Sequence, residues 1–158
     1  MTTIFLDIDG VLHGYGQHDR RREMQSIRNK AQGEAEWTWF YPEQTALLNQ
    51  ICEATDAEIV VHSAWRFSWN PDELRELFRS VGIVGQVIGI ADRSIHDRGV
   101  AIRAWLQEHP TVRRYVVLDD EDLRDEPVIG DNAVAVDGQI GLTDKDVTLA
   151  LRILRVGP

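Results

Sequence analysis

Thr3-Ile4-Phe5-Leu6-Asp7-Ile8-Asp9-Gly10 is the stretch that decides how this chain folds. Thr3 to Leu6 form a short apolar run, the signature of a central strand buried on both faces. The run breaks at Asp7, so carboxylates stand at the carboxyl end of the strand. A strand of this kind needs parallel neighbours and covering helices, and the rest of the chain supplies both.

Pro42 suits the first turn of a helix, and Leu47, Leu48, Ile51 and Cys52 follow at helical spacing. Glu58-Ile59-Val60-Val61-His62 reads as a second buried strand ending at Ser63. Asn70-Pro71-Asp72-Glu73 is a helix start, with an apolar stripe of Leu74, Leu77, Phe78 and Val81 and a stop at Gly82. Val87 to Ile90 form a third strand. Val100 to Glu108 read as a helix that buries Ala101, Ile102, Trp105 and Leu106. Tyr115 to Leu118 form a fourth strand, stopping at Asp119-Asp120. Ala133 to Val136 form a fifth, followed by an Asp137-Gly138 turn. A last helix begins near Thr143 or Asp144 and carries Val147, Leu151 and Leu154. Strands alternating with helices imply right-handed crossovers and a parallel sheet with helices on both faces. Residues 13–41, polar, charged and ending in Trp37, Trp39, Phe40 and Tyr41, read as a flap inserted into a single domain spanning 1–158.

The 43% hydrophobic and 27% charged composition is that of a globular chain, long enough to carry a proper core. Seventeen Lys and Arg against 26 Asp and Glu give a net charge of -9, which repels polyanions and lipid head groups at long range. A local exception is the basic run His18, Arg20, Arg21 and Arg22, with Arg28 and Lys30 beyond it; as a solvated loop it would have no such role. The lone Cys52 reads as a small apolar helix residue, and nothing points to an oxidising compartment. Without a leader-like amino terminus or a membrane-length apolar stretch, the expected location is the cytoplasm, with no membrane partner.

Three separated strands end in polar residues of the kinds phosphoryl transfer needs. These are Asp7-Ile8-Asp9-Gly10 after the first, Ser63 after the second, and Asp119-Asp120 after the fourth. Ligands of open parallel sheets bind beyond the carboxyl ends of the strands, so these groups can converge. Asp-x-Asp-Gly alone could be a turn or a calcium loop. An EF-hand, however, places its glycine at the sixth loop position, whereas here Gly10 is fourth and a strand precedes it. Crowded carboxylates repel one another unless a hard cation neutralises them. Asp7 with Asp119 or Asp120, plus a main-chain carbonyl, suits magnesium and its preference for oxygen ligands. Alone, Asp119-Asp120 could equally be a solvated turn.

These residues resemble a known group. Phe5-Leu6-Asp7-Ile8-Asp9-Gly10-Val11-Leu12 looks like the first motif of the haloacid dehalogenase (HAD) superfamily, whose first aspartate attacks phosphorus while the second handles the leaving-group proton. Val60-Val61-His62-Ser63-Ala64-Trp65-Arg66 resembles the second motif, whose hydroxyl residue binds phosphate. Val117-Leu118-Asp119-Asp120 resembles the acidic motif that holds magnesium. Ser-x-Trp-Arg, an Arg-Gly with a Trp-Leu helix, and Gly-Leu-Thr near the end resemble the small HAD domains associated with RNA-repair proteins.

The resemblance implies an HAD-like, three-layer Rossmann-like fold and an Mg2+-dependent phosphatase with Asp7 as nucleophile and Asp9 as general acid/base. The phosphate-binding set would be Ser63, Ala64, Arg98 and the N–H of Ile8. The metal set would be Asp7, Asp119 or Asp120, and Asp9 through its main-chain carbonyl. The usual lysine of the third motif has no match, because the only lysines are Lys30 and Lys145. Arg98 matches its position best, with Arg93 in reserve, and a guanidinium can supply the same charge with a fork of donors. Arg66 is a candidate for gripping substrate, or else a surface residue. Trp65 and Trp69 could line the site, His62 reads as hydrogen-bonded structure, and Asp122 could stand behind the metal ligands. Trp37, Trp39 and Phe40 could stack on a base. With no large cap, the expected substrate is a nucleotide or nucleic-acid end phosphate, with other small phosphomonoesters as the alternative. A magnesium-binding module without turnover is the non-enzymatic alternative, which the presence of both Asp7 and Asp9 disfavours. The sequence says nothing about oligomeric state.

Overall fold

The computed structural model describes residues 1–16 and 40–156. Five strands, β1 (Thr2–Leu6), β2 (Glu58–Val61), β3 (Val87–Ile90), β4 (Arg114–Asp119) and β5 (Ala133–Ala135), form one sheet in the order β3-β2-β1-β4-β5. Every pairing is parallel, so all five carboxyl ends lie on one edge. Leu6 is in register with Val61 on one side and Leu118 on the other. That register carries one step beyond the strands, setting Asp7 between His62 and Asp119.

Among the described residues, four α-helices cover the sheet: α1 (Pro42–Thr55), α2 (Pro71–Ser80), α3 (Arg98–Glu108) and α4 (Asp144–Val156). Side chains alternate between faces with the period of a strand. Ile4 and Leu6 of β1 join Leu48 and Ile51 of α1, Leu74 and Phe78 of α2, and Ala150 and Leu154 of α4 in the larger core. Phe5 points the other way and meets Ile102 of α3 with Val60 and Val117. α2 begins with a capping box, Asn70 accepting from the Glu73 N–H while Glu73 accepts from the Asn70 N–H, which satisfies two donors at the helix start.

The strands and helices fall where the apolar periodicity places them. Trp105 and Leu106 differ in degree, being only partly buried against the second core. The Trp105 indole lies over Gly89 of β3, where an added Cβ would come within 2.4 Å of the ring.

The expected flap is anchored at both ends inside the domain. Residues 17–39, with Trp37, Trp39 and the basic run, lie outside the described residues. His13, Phe40 and Tyr41 are buried, and Tyr41 N donates to Leu12 O at 3.0 Å, closing the ends on each other. Phe40, expected among base-stacking aromatics, instead packs edge-on against Trp65 and Phe78. It is an apolar ring beside the larger core, and burial there removes it from water. Among the described residues, no helix is long and apolar enough to cross a membrane.

Candidate active site

The site is built where β1, β2 and β4 end. Asp7 continues the ladder of β1, its N–H donating to Leu118 O at 2.9 Å, and its carboxylate is buried. Asp119, the last residue of β4, is buried beside it. One guanidinium nitrogen joins the two: Arg98 Nη1 donates to Asp7 Oδ2 at 2.8 Å and to Asp119 Oδ1 at 2.6 Å. Asp119 Oδ2 lies 2.6 Å from His62 Nε2, and Glu121 N donates to Asp119 Oδ1 at 2.8 Å. Asp120 stands at the edge, 4.0 Å from Arg98. Two glycines make its seat: a Cβ on Gly10 or Gly138 would come within 2.6 or 2.7 Å of Asp120 Oδ2. Gly10 also has φ +81°, a conformation that costs other residues.

The charges do not cancel. Burial and the neighbouring Asp119 push the Asp7 carboxyl up to about 6, although His62 and Arg98 pull it back. Asp120 is also raised, by burial and by Asp119. Asp119 goes the other way: burial alone would raise it, but the His62 hydrogen bond and the charges of His62 and Arg98 hold it below the ordinary range. Burial would likewise weaken the Arg98 guanidinium, but Asp7 and Asp119 outweigh it and keep Arg98 firmly protonated.

Oxygens of Asp7, Asp119 and Asp120 lie within 4.8 Å of one another. Asp7 Oδ1 is buried and makes no hydrogen bond. An unpaired buried carboxylate oxygen is costly, and a hard cation beside it removes that cost. The three carboxylates could therefore hold a divalent cation, Arg98 taking the other oxygen of Asp7 and Oδ1 of Asp119.

Asp9 is held apart from this cluster. Its Oδ1 lies 2.9 Å from His13 Nε2, and its Oδ2 accepts from Trp65 Nε1 at 3.0 Å. Tyr15 is close by; burial, then Asp120, Asp9 and Asp7, raise its phenol. The second-motif loop folds into a 3₁₀ turn, Ala64–Phe67, with buried Ser63 as its cap and Ser63 Oγ accepting from Trp65 N at 3.3 Å. Ala64 is exposed at the start of that turn, and Ile8 is buried with its carbonyl accepting from Leu12 N.

Arg66 is not the surface residue that was its alternative reading. It is buried, with Nη1 donating to the carbonyls of His62 and Ser63 and Nη2 to those of Ile95, at 2.8 Å, and His96, at 3.4 Å. Those bonds tie the loop after β2 to the one before α3. Burial, then the charge of Arg98, lower its basicity. Arg93 is exposed and donates to Trp69 O at 2.7 Å. Asp122 is exposed and paired with Arg124, outside the carboxylate cluster.

His13 is the site residue that sequence reasoning missed, having been assigned to the flap. The available signal was its spacing, four residues after Asp9, which one tight turn can bring together. The turn is present, with Val11 N and Leu12 N both donating to Ile8 O.

A five-stranded parallel sheet with an acidic cluster beyond its central strands defines the class, an α/β domain of the HAD type. Over residues 3–147 the chain matches the family described as "HAD domain in Swiss Army Knife RNA repair proteins", and it belongs to that family. No curated protein and no solved structure matches it.

Proposed function

We propose that this domain hydrolyses phosphomonoesters, with Asp7 as nucleophile and Asp9 as general acid and base. The observation that carries the reading is the division of the two carboxylates. Asp7 is buried among Arg98, Asp119 and Asp120, whereas Asp9, two residues on, is held separately by His13 and Trp65. A phosphoryl group between them would meet a nucleophile on one side and a proton carrier on the other.

Asp7 attacks in line; its bond to phosphorus forms as the bond to the leaving oxygen breaks, and Asp9 gives that oxygen its proton. Asp9 then takes a proton from water as the water oxygen attacks phosphorus, and Asp7 is released with inorganic phosphate. Arg98 steadies Asp7 and offers its charge to the phosphoryl oxygens. The HAD family usually uses magnesium, which Asp7, Asp119 and Asp120, with the Asp9 carbonyl, would hold. Bound there, it would neutralise the crowded carboxylates and the phosphate.

The substrate is a nucleotide or a nucleic-acid end phosphate, a reading that rests on the RNA-repair description of the family. Phosphate release from sugar phosphates, nucleotides and end-phosphorylated oligonucleotides, with and without chelator, is the test. Chelator-sensitive release, largest on nucleotides or oligonucleotide ends, is expected. No release from any compound would favour a phosphate-binding module without turnover.

A further inference from the structure

We propose that His13 and Trp65 are positioning residues that fix the Asp9 carboxylate for both halves of the reaction, an inference that rests on the reading of Asp9 as acid and base. Asp9 has a side chain 35% exposed. Water could solvate such a carboxylate, so the contacts from His13 and Trp65 are not required merely to compensate burial. They come from different loops. His13 reaches Oδ1 from the turn after β1, and Trp65 reaches Oδ2 from the turn after β2.

Both groups are themselves held. His13 is buried, edge-on to Tyr15 at 5.7 Å and to Tyr41 at 5.9 Å. The chain on either side of it is tied down, with Leu142 N donating to Val11 O at 2.9 Å and Tyr15 N to Gly138 O at 2.8 Å. Between those ties Gly14 passes so close to the 139–140 backbone that a Cβ would sit 2.5 Å from Gln139 O. Trp65 stacks on Trp69 at 5.7 Å and meets Phe40 edge-on at 5.6 Å. A group whose supporting side chains are locked by packing keeps its geometry through a reaction.

The hydrogen-bonding capacities suit a group that alternates between acid and base. An indole N–H only donates, so Oδ2 remains an acceptor at Trp65 whether or not Asp9 carries a proton. An Oδ1 that accepts from the His13 Nε2–H keeps a second lone pair, so that bond too is compatible with Asp9 with or without its proton. His13 and Trp65 reach different oxygens of the carboxylate from different loops. Together they fix its plane.

The test compares leaving groups. Departure of p-nitrophenolate needs little protonation, whereas departure of an alkoxide from benzyl phosphate depends on the general acid, and kcat/KM reports that first step. For wild type, Asp9→Asn, His13→Leu, His13→Gln and Trp65→Phe, kcat/KM is measured on both esters with magnesium, alongside the melting temperature. Asp9→Asn should raise the preference for p-nitrophenyl phosphate by about a hundredfold, within the usual worth of general acid catalysis. His13→Leu and Trp65→Phe should raise it by about tenfold. His13→Gln, whose amide can donate or accept near the same place, should stay near wild type. An unchanged preference in His13→Leu and Trp65→Phe, with the Asp9→Asn effect present, overturns the positioning role alone. No preference change in Asp9→Asn, or no hydrolysis of either ester by wild type, overturns the underlying reading and this inference with it. If His13→Leu does not fold, Trp65→Phe, which keeps a ring in the stack, decides the matter.

Discussion

The central residue-scale feature is one guanidinium nitrogen shared by two buried carboxylates. Arg98 is therefore expected to stabilise both the nucleophile and the incoming phosphate. Arg98→Ala should lower phosphate release by about a hundredfold, the usual cost of removing one well-placed donor. Arg93→Ala should have little effect, since Arg93 is exposed and spends its donor on Trp69 O. The reverse order of effects, measured as kcat/KM, would reassign the third motif. Asp7 carries the second residue-scale prediction. Its folded carboxyl titrates near 6 against 3.8 for the free group. The folded chain thus keeps a proton that the unfolded chain sheds between those values, and this group's contribution to stability falls as pH rises through that window. In chelator, Asp7→Asn should be more stable than wild type by about 1–3 kcal/mol at pH 8 and nearly equal to it at pH 4. Urea unfolding at both pH values checks the sign; a difference larger at pH 4 would contradict it.

At the scale of elements, the segments after β1, β2, β3 and β4 hold the site, and one buried arginine ties two of them together. The guanidinium of Arg66 donates to carbonyls, so truncation removes the donors of His62, Ile95 and His96 O and leaves the loop after β2 untied from the one before α3. Arg66→Met should cost about 3 kcal/mol, a fall in melting temperature of about 6–12 °C for a chain of this size. A melting temperature unchanged within about 2 °C, with a raised KM, would instead place Arg66 against substrate. Helix α3 shows how an element can advertise a function. Its N-terminus, capped by Asp97, carries Arg98 as its first residue, where the helix dipole disfavours a cation. Asp7 and Asp119 reverse that preference. A local rule broken at a helix start is thus a site signal available in the sequence.

For the molecule as a whole, the net charge of -9 sets the approach of any substrate. Screening at physiological ionic strength acts over about 8 Å, so raising salt from low values should lower KM for an end-phosphorylated oligonucleotide. A basic nucleic-acid binder would show the opposite trend, and a KM that rises with salt would indicate that the basic run at residues 18–30 dominates. The sequence by itself determined the strands, the helices and their order, because apolar runs and helical spacing record burial directly. It also marked Asp7, Asp9, Ser63 and Asp119-Asp120, because polar residues at the ends of buried strands are conspicuous, whereas Arg98 came, with Arg93 in reserve, from the resemblance to the HAD motifs. It could not decide which arginine meets Asp7, that His13 and Trp65 meet at Asp9, or that Phe40 and Arg66 turn inward. Those contacts join residues from separate loops, and the distances between loops are set by strand order and register. Only the packed sheet, with β1 between β2 and β4, brings residues 7, 62, 98 and 119 to one point.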